Sequence, residues 1–354
     1  MHTAITTSNT ETNRLNVYDS IRGFSMFLVV LGHVLLFMDL GIDRTPLSTF
    51  IITFRMPLFF FISGFFAFKP LARWTDKALS SILSRKVKAQ IICTLVFYTI
   101  FALYSGNDPF GWLHYGFRGY WFTIVLFQIF VMYVISVLIA RLFRSEKIVW
   151  IIICSAAAAL AVQSIFHPAE YSGLPRVLSW LNLSRYTQFF VFGLIARRFS
   201  GTFNAVIANN YARAIIITLF ISLLLSMHTL NAGRPSFLKF IITEIPVRYC
   251  GLLCVLILFT SKTDYFDTTA YPARILRFIG RRTLDIYMLH YFFLPHLQWL
   301  GKYISEPSMT AVQILISATI AIVIVAICLA FSNLIRSSDF LSQWLFGSKP
   351  HKKS

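Results

Sequence analysis

The chain has 354 residues, of which 57% are hydrophobic, 16% aromatic and 13% charged, a balance that excludes an ordinary soluble globular protein. A formal net charge of +18 would suggest nucleic acid in a soluble protein. Here the Lys and Arg residues stand between apolar runs, where membrane topology and anionic headgroups account for most of them, so no nucleic-acid partner is expected.

Ten apolar runs read as membrane-spanning helices, over residues 20–38, 47–68, 89–105, 120–140, 148–165, 182–197, 213–229, 240–260, 276–298 and 310–334. The expected fold is therefore all-α: a polytopic membrane protein of about ten helices. A polar head, residues 1–17, precedes the membrane domain 18–336, and a basic tail, 337–354, follows it. The head lacks a basic start and a small-residue cleavage site, so the first run is expected to be retained and the head itself disordered.

The first run, YDSIRGFSMFLVVLGHVLLF, carries Asp19, Arg22 and His33. Ionisable groups are costly in hydrocarbon and point to function by default. Arg22 and His33 are eleven residues apart, about three helical turns or 16 Å, so they share one face. On spacing alone, Arg22 snorkelling to the interface and His33 bonding a neighbouring helix is an equally good reading. Near neutral pH an imidazole can accept a proton from an attacking hydroxyl, which makes His33 the best general-base candidate.

The second run contains Arg55, Pro57 and Gly64 and should be kinked or broken. Arg55 either pairs with Asp39 or Asp43 or lines a cavity near His33; Ser63 reads as a small packing residue. At the entry to the third run stands Arg85-Lys86-Val87-Lys88. It is either a positive-inside anchor or a phosphate grip for an anionic cytoplasmic donor. The aromatic cluster from Trp112 to Trp121 reads first as an interfacial belt, although Trp121 could stack on a sugar ring. Glu244 and Arg248 should neutralise each other at i, i+4. The ninth run holds Asp285, His290 and Pro295.

All five cysteines lie inside apolar runs, which argues against a disulfide framework. Cys250 and Cys254 share a helix face, but no His or carboxylate stands beside them at ligand spacing, so no metal site is expected. Nucleophile-elbow, P-loop, HExxH and dinucleotide motifs do not occur. Counting Lys and Arg in the loops with the N-terminus inside puts 22 on the cytoplasmic side and 6 opposite, with Arg22, Arg55, Arg185 and Arg248 in or at the edges of runs. Both termini are therefore expected in the cytoplasm, with Arg22 near the inner surface and His33 towards the outer one.

Six segments, in order, resemble the acyltransferase-3 family of bacterial integral-membrane O-acyltransferases. They are YDSIRGFSMFLVVLGH, FRMPLFFFISGFFAFKP, SRKVKAQ, GYWFTIVLFQIF, YTQFFVFGLIARR and IGRRTLDIYMLHYF. The resemblance implies transfer of an acyl group, usually acetyl from cytoplasmic acetyl-CoA, to hydroxyls of an extracytoplasmic glycan or glycolipid at the inner membrane. It makes His33 and Arg22 catalytic candidates, and it maps the donor-binding pair to Arg85 and Lys88. A Lys at the second position keeps the charge but loses bidentate geometry. Many relatives carry His where this chain has Arg55. His290 matches the His closing the I-Y-x-L-H motif, and it joins Arg55, Trp121 and Asp19 as a candidate for the acceptor side or cavity. The competing reading is an exporter or flippase of a polar or lipid-linked solute, to which intramembrane Arg, His and Asp beside a broken helix also conform.

Overall fold

A computed structural model describes residues 2–40, 46–167, 171–229, 243–262, 265–266, 270–304 and 309–348. Asp43, Arg44, Arg234, Lys239 and the tail lysines 349, 352 and 353 lie outside them. The helices are α1 His2–Phe37, α2 Pro46–Ala67, α3 Asp76–Lys86, α4 Cys93–Tyr104, α5 Trp112–Tyr115, α6 Trp121–Leu142, α7 Glu146–Phe166, α8 Leu174–Val177 and α9 Trp180–Arg198. After them come α10 Ser200–Ala208, α11 Asn210–Thr229, α12 Ile245–Thr260, α13 Tyr271–Arg281, α14 Thr283–Leu289, α15 Gln298–Ile304, α16 Thr310–Arg336 and α17 Asp339–Phe346. Among the described residues, six helices are long and apolar enough to cross a membrane, or up to seven if the bent pair α10–α11 counts as one span.

Two expectations are corrected. The polar head is not irregular: α1 begins at His2. A helix already anchored by a buried span can propagate outward at about one hydrogen bond per residue, without a new nucleus. The ninth run is not one helix either. It breaks at Arg282, resumes as α14 and tightens into a 3-10 turn at His290–Phe293. By contrast α2 continues through Pro57, and Arg248 pairs with Glu244 at 3.0 Å as the i, i+4 spacing requires.

The chain divides into two compact units, Met1–Ile62 with Phe199–Ala330 and Ser63–Arg198 with Phe331–Ser354. In the first, α1 lies along α13 and α11 along α12. The α1–α13 approach depends on two glycines. A Cβ on Gly23 would overlap the Leu276 carbonyl oxygen, and one on Gly280 would overlap the Asp19 carbonyl oxygen. Small residues let helix backbones meet this closely where lipid offers no hydrophobic drive to association. Gly251 on α12 does the same for the rings of Phe54 and Phe220.

In the second unit α6, α7 and α9 pack together. A buried Thr94–Thr123 hydrogen bond of 2.6 Å ties α4 to α6. Thr75 caps α3, accepting from the Ala78 amide. Between α3 and α4 the backbone takes a π-helical turn, Val87–Ile92.

Candidate active site

Within the first unit, α1 touches the broken segment at both of its ends. At the lower end Arg22 Nη2 donates to Thr283 Oγ1 at 3.1 Å and lies 3.8 Å from Asp19. Asp19 also accepts from Arg281 Nε at 3.0 Å. At the upper end His33 meets His290 and Tyr291, which close α14. Eleven residues of α1 are thus matched against seven of α14 and the 3-10 turn that follows it. The spacing that places Arg22 and His33 on one face is the spacing that lets one helix brace the other.

The hydrogen bonds at the upper end fix the tautomers. His290 Nδ1 faces the carbonyls of Tyr287 at 2.8 Å and Ile286 at 3.1 Å, so it carries a proton. Its Nε2 is then a lone pair and accepts from His33 Nδ1 at 3.2 Å. His33 Nδ1–H also has the Val29 carbonyl within reach. His33 Nε2 is left as the basic atom, and the Tyr291 hydroxyl donates to it at 2.9 Å. The proton path therefore runs Tyr291, His33, His290, backbone. His290 is fully buried while His33 is half-buried, so the outer member is the accessible one.

Arg55 reaches the same place from α2. Its guanidinium lies over Gly32, where a Cβ would collide with Nη1, and its charge bears on His33, His290 and Tyr291 alike. The Arg55 side chain thus lies against the residue that precedes His33. A base, a buried partner that holds its tautomer and a fixed cation together suit proton abstraction from a hydroxyl with stabilisation of a developing oxyanion.

The second unit holds the other candidates. Arg85 is exposed at the end of α3, donating to the Ser81 carbonyl. Arg85 and Arg73 both act on Lys69. Burial first, and then these two neighbouring cations, lower the Lys69 ammonium below its ordinary range. An anion placed near Lys69 would meet favourable charge from all three. The Lys69 backbone is pinned by the Trp74 indole, which donates to its carbonyl at 3.2 Å. Lys88 is turned elsewhere, with its ammonium 4.3 Å above the Trp344 ring of α17. Lys69 likewise lies over an aromatic ring, 5.6 Å from the centre of Trp74, and Arg73 and Arg85 are the cations whose charge reaches it. Trp121 opens α6 and stacks on Tyr186, with ring centroids 5.5 Å apart.

Tyr291, Thr283, Lys69 and Arg73 escaped the sequence reading. Tyr291 adjoins His290, and this adjacency was the available signal. Lys69 and Arg73 were visible as loop charges, but nothing in their spacing joins them to Arg85.

A family model described as an acyltransferase domain matches residues 15–332. No curated protein and no solved structure matches the chain significantly.

Proposed function

The chain belongs to the acyltransferase-3 family of membrane acyltransferases, and from that premise we propose that it moves an acyl group from acyl-CoA, most simply acetyl-CoA, to a hydroxyl of an extracytoplasmic glycan or glycolipid. Its seat would be the bacterial inner membrane, with both termini in the cytoplasm. The observation that carries the reading is the hydrogen-bonded chain Tyr291–His33–His290 beside Arg55.

The donor is an anionic substrate, and the Lys69–Arg73–Arg85 cluster fits its phosphates because an anion relieves the repulsion among the three cations. On the acceptor side, the sugar hydroxyl takes the place of the Tyr291 phenol on His33 Nε2. His33 removes its proton as the oxygen attacks the thioester carbonyl. The resulting imidazolium is held by its Nδ1–H bond to His290 Nε2, and Arg55 balances the oxyanion of the tetrahedral intermediate. Collapse breaks the carbon–sulfur bond. The thiolate takes the proton back from His33 and leaves as CoA, and the acyl group stays on the acceptor as an ester. Arg22 serves this chemistry by bracing α14 through Thr283 rather than by touching the reacting atoms.

The test is thiol release from acetyl-CoA by purified protein in nanodiscs supplied with candidate glycans. His33→Ala should abolish release while leaving membrane insertion and melting intact. Undiminished turnover in that variant would refute the assignment.

A further inference from the structure

The second unit contains a hollow of about 430 Å³, within the range of small-molecule sites. Three arginines stand in its wall: Arg118 before α6, Arg176 on α8 and Arg185 on α9. Trp121, Trp180 and Tyr171 supply aromatic faces, and Asn182 and Ser179 supply short polar groups. Guanidinium forks among flat rings and amides are what an acidic sugar needs. The forks match a carboxylate bidentately, the rings take the apolar face of the pyranose, and the amide takes hydroxyls.

The backbone around the hollow is built for position rather than comfort. Arg118 and Ser179 both hold left-handed backbone, with φ of 32° and 52°, a conformation that is costly for non-glycine residues and gathers at ligand sites. Gly116 at φ 67° allows the loop to press on α8, where a Cβ would stand 2.7 Å from the Arg176 carbonyl oxygen. Arg118 is steadied 5.0 Å over the Tyr115 ring. An interfacial aromatic belt requires neither a hollow nor such backbone.

Location supports the same occupant. From Trp121 to Leu142, α6 rises about 33 Å, a full hydrocarbon thickness. At its far end Arg141 pairs with Asp76 at 2.7 Å, where α3 begins. The hollow thus lies at the end of α6 away from the start of α3. If the loop before α3 faces the cytoplasmic donor, the hollow faces the acceptor.

We propose that this hollow binds a carboxylated sugar of the acceptor glycan, making the acceptor an acidic polysaccharide or glycolipid. The proposal rests on the acyl-transfer reading for its biology, but binding can be measured without turnover. Titrate protein in nanodiscs of zwitterionic lipid with tetragalacturonic acid and with its methyl ester, by calorimetry. The acid should bind at least about tenfold more tightly than the ester, and added salt should erode the difference. Arg118→Gln and Arg185→Gln should each remove most of that preference, and Trp121→Ala should weaken both ligands. Equal binding of acid and ester, no binding of either, or displacement of the acid by phosphatidylglycerol with no saccharide preference would overturn it. Acid binding without thiol release under any condition would leave the hollow standing and sink acyl transfer. Thiol release with neutral acceptors alone would do the reverse.

Discussion

Replacing His290 by Phe keeps a buried aromatic ring and removes both ring nitrogens: Nδ1, which donates to the Tyr287 and Ile286 carbonyls, and Nε2, whose lone pair receives His33 Nδ1–H at 3.2 Å. While His33 is neutral, a hydrogen bond of this kind is worth about 0.5–1.5 kcal/mol; once His33 is an imidazolium, it is worth about 1.5–3 kcal/mol. Only the difference, about 1–2 kcal/mol, acts on the barrier, which corresponds to a kcat lowered about 5- to 30-fold. The Val29 carbonyl also lies within reach of His33 Nδ1, which places the expectation towards the lower figure. KM for the donor should hold, since His290 contributes nothing to the basic cluster. His290→Gln, which restores an acceptor oxygen, should recover part of the loss. The assay is thiol release at saturating acetyl-CoA, with thermal melting to confirm that each variant is folded. Turnover within about twofold of wild type would refute a positioning role. A loss beyond about a thousandfold in a folded variant would instead make His290 itself the base.

Three further outcomes follow from the geometry. Gly32→Ala should displace the Arg55 guanidinium from its place on α1 and lower kcat without lowering the melting temperature, because the colliding atoms end a flexible side chain; unchanged kinetics would separate Arg55 from the chemistry. Gly280→Ala should destabilise the fold by about 2 kcal/mol or more, since its Cβ meets the backbone of α1, which cannot swing aside; a wild-type melting curve would contradict the close α1–α13 approach. Lys69, whose ammonium is held down by burial, Arg85 and Arg73, loses its proton at lower pH than an ordinary lysine. Amine-directed labelling near pH 9 should therefore reach Lys69 before the exposed Lys77, with CoA protecting it and Arg85→Gln slowing it; mass spectrometry of the labelled peptides reads the order.

What could be read in advance was what lies along one helix. Arg22 and His33 announce themselves by charge in an apolar run and by a spacing near three turns. Glu244 and Arg248 do so at i, i+4. The break at Arg282 could not be read this way, because IGRRTLDIY contains no proline and its apolar residues continue through the interruption. The cause lies across the packing: Gly280 is pressed on the Asp19 carbonyl while Arg281 pairs with Asp19 and Arg282 with the buried Asp285. The place of Arg55 against Gly32 could not be read either, because the two stand 23 residues apart on different helices. The contact of Lys88 with Trp344 was not legible for a similar reason, since α17 brings that ring to it from the far end of the chain. Apolar runs also overstate continuous helices. Hydropathy registers the bent and broken segments as fully as the straight ones; among the described residues six helices, or seven with the bent pair, are long and apolar enough to span.

The π-turn at Val87–Ile92 carries a consequence for how donor recognition can change. Because that turn closes its hydrogen bonds one residue later than an α-helix does, the strand of cations on α3 and the apolar stem of α4 are out of phase by about one residue, or 100° of rotation. Removing a single residue there would restore ordinary helix and swing Arg85 off the side it shares with Lys69 and Arg73, with every cation still present. Charge composition would be untouched and the anion seat dismantled. If the donor sits there as proposed, its recognition would depend on the count of residues in this turn as well as on their identities.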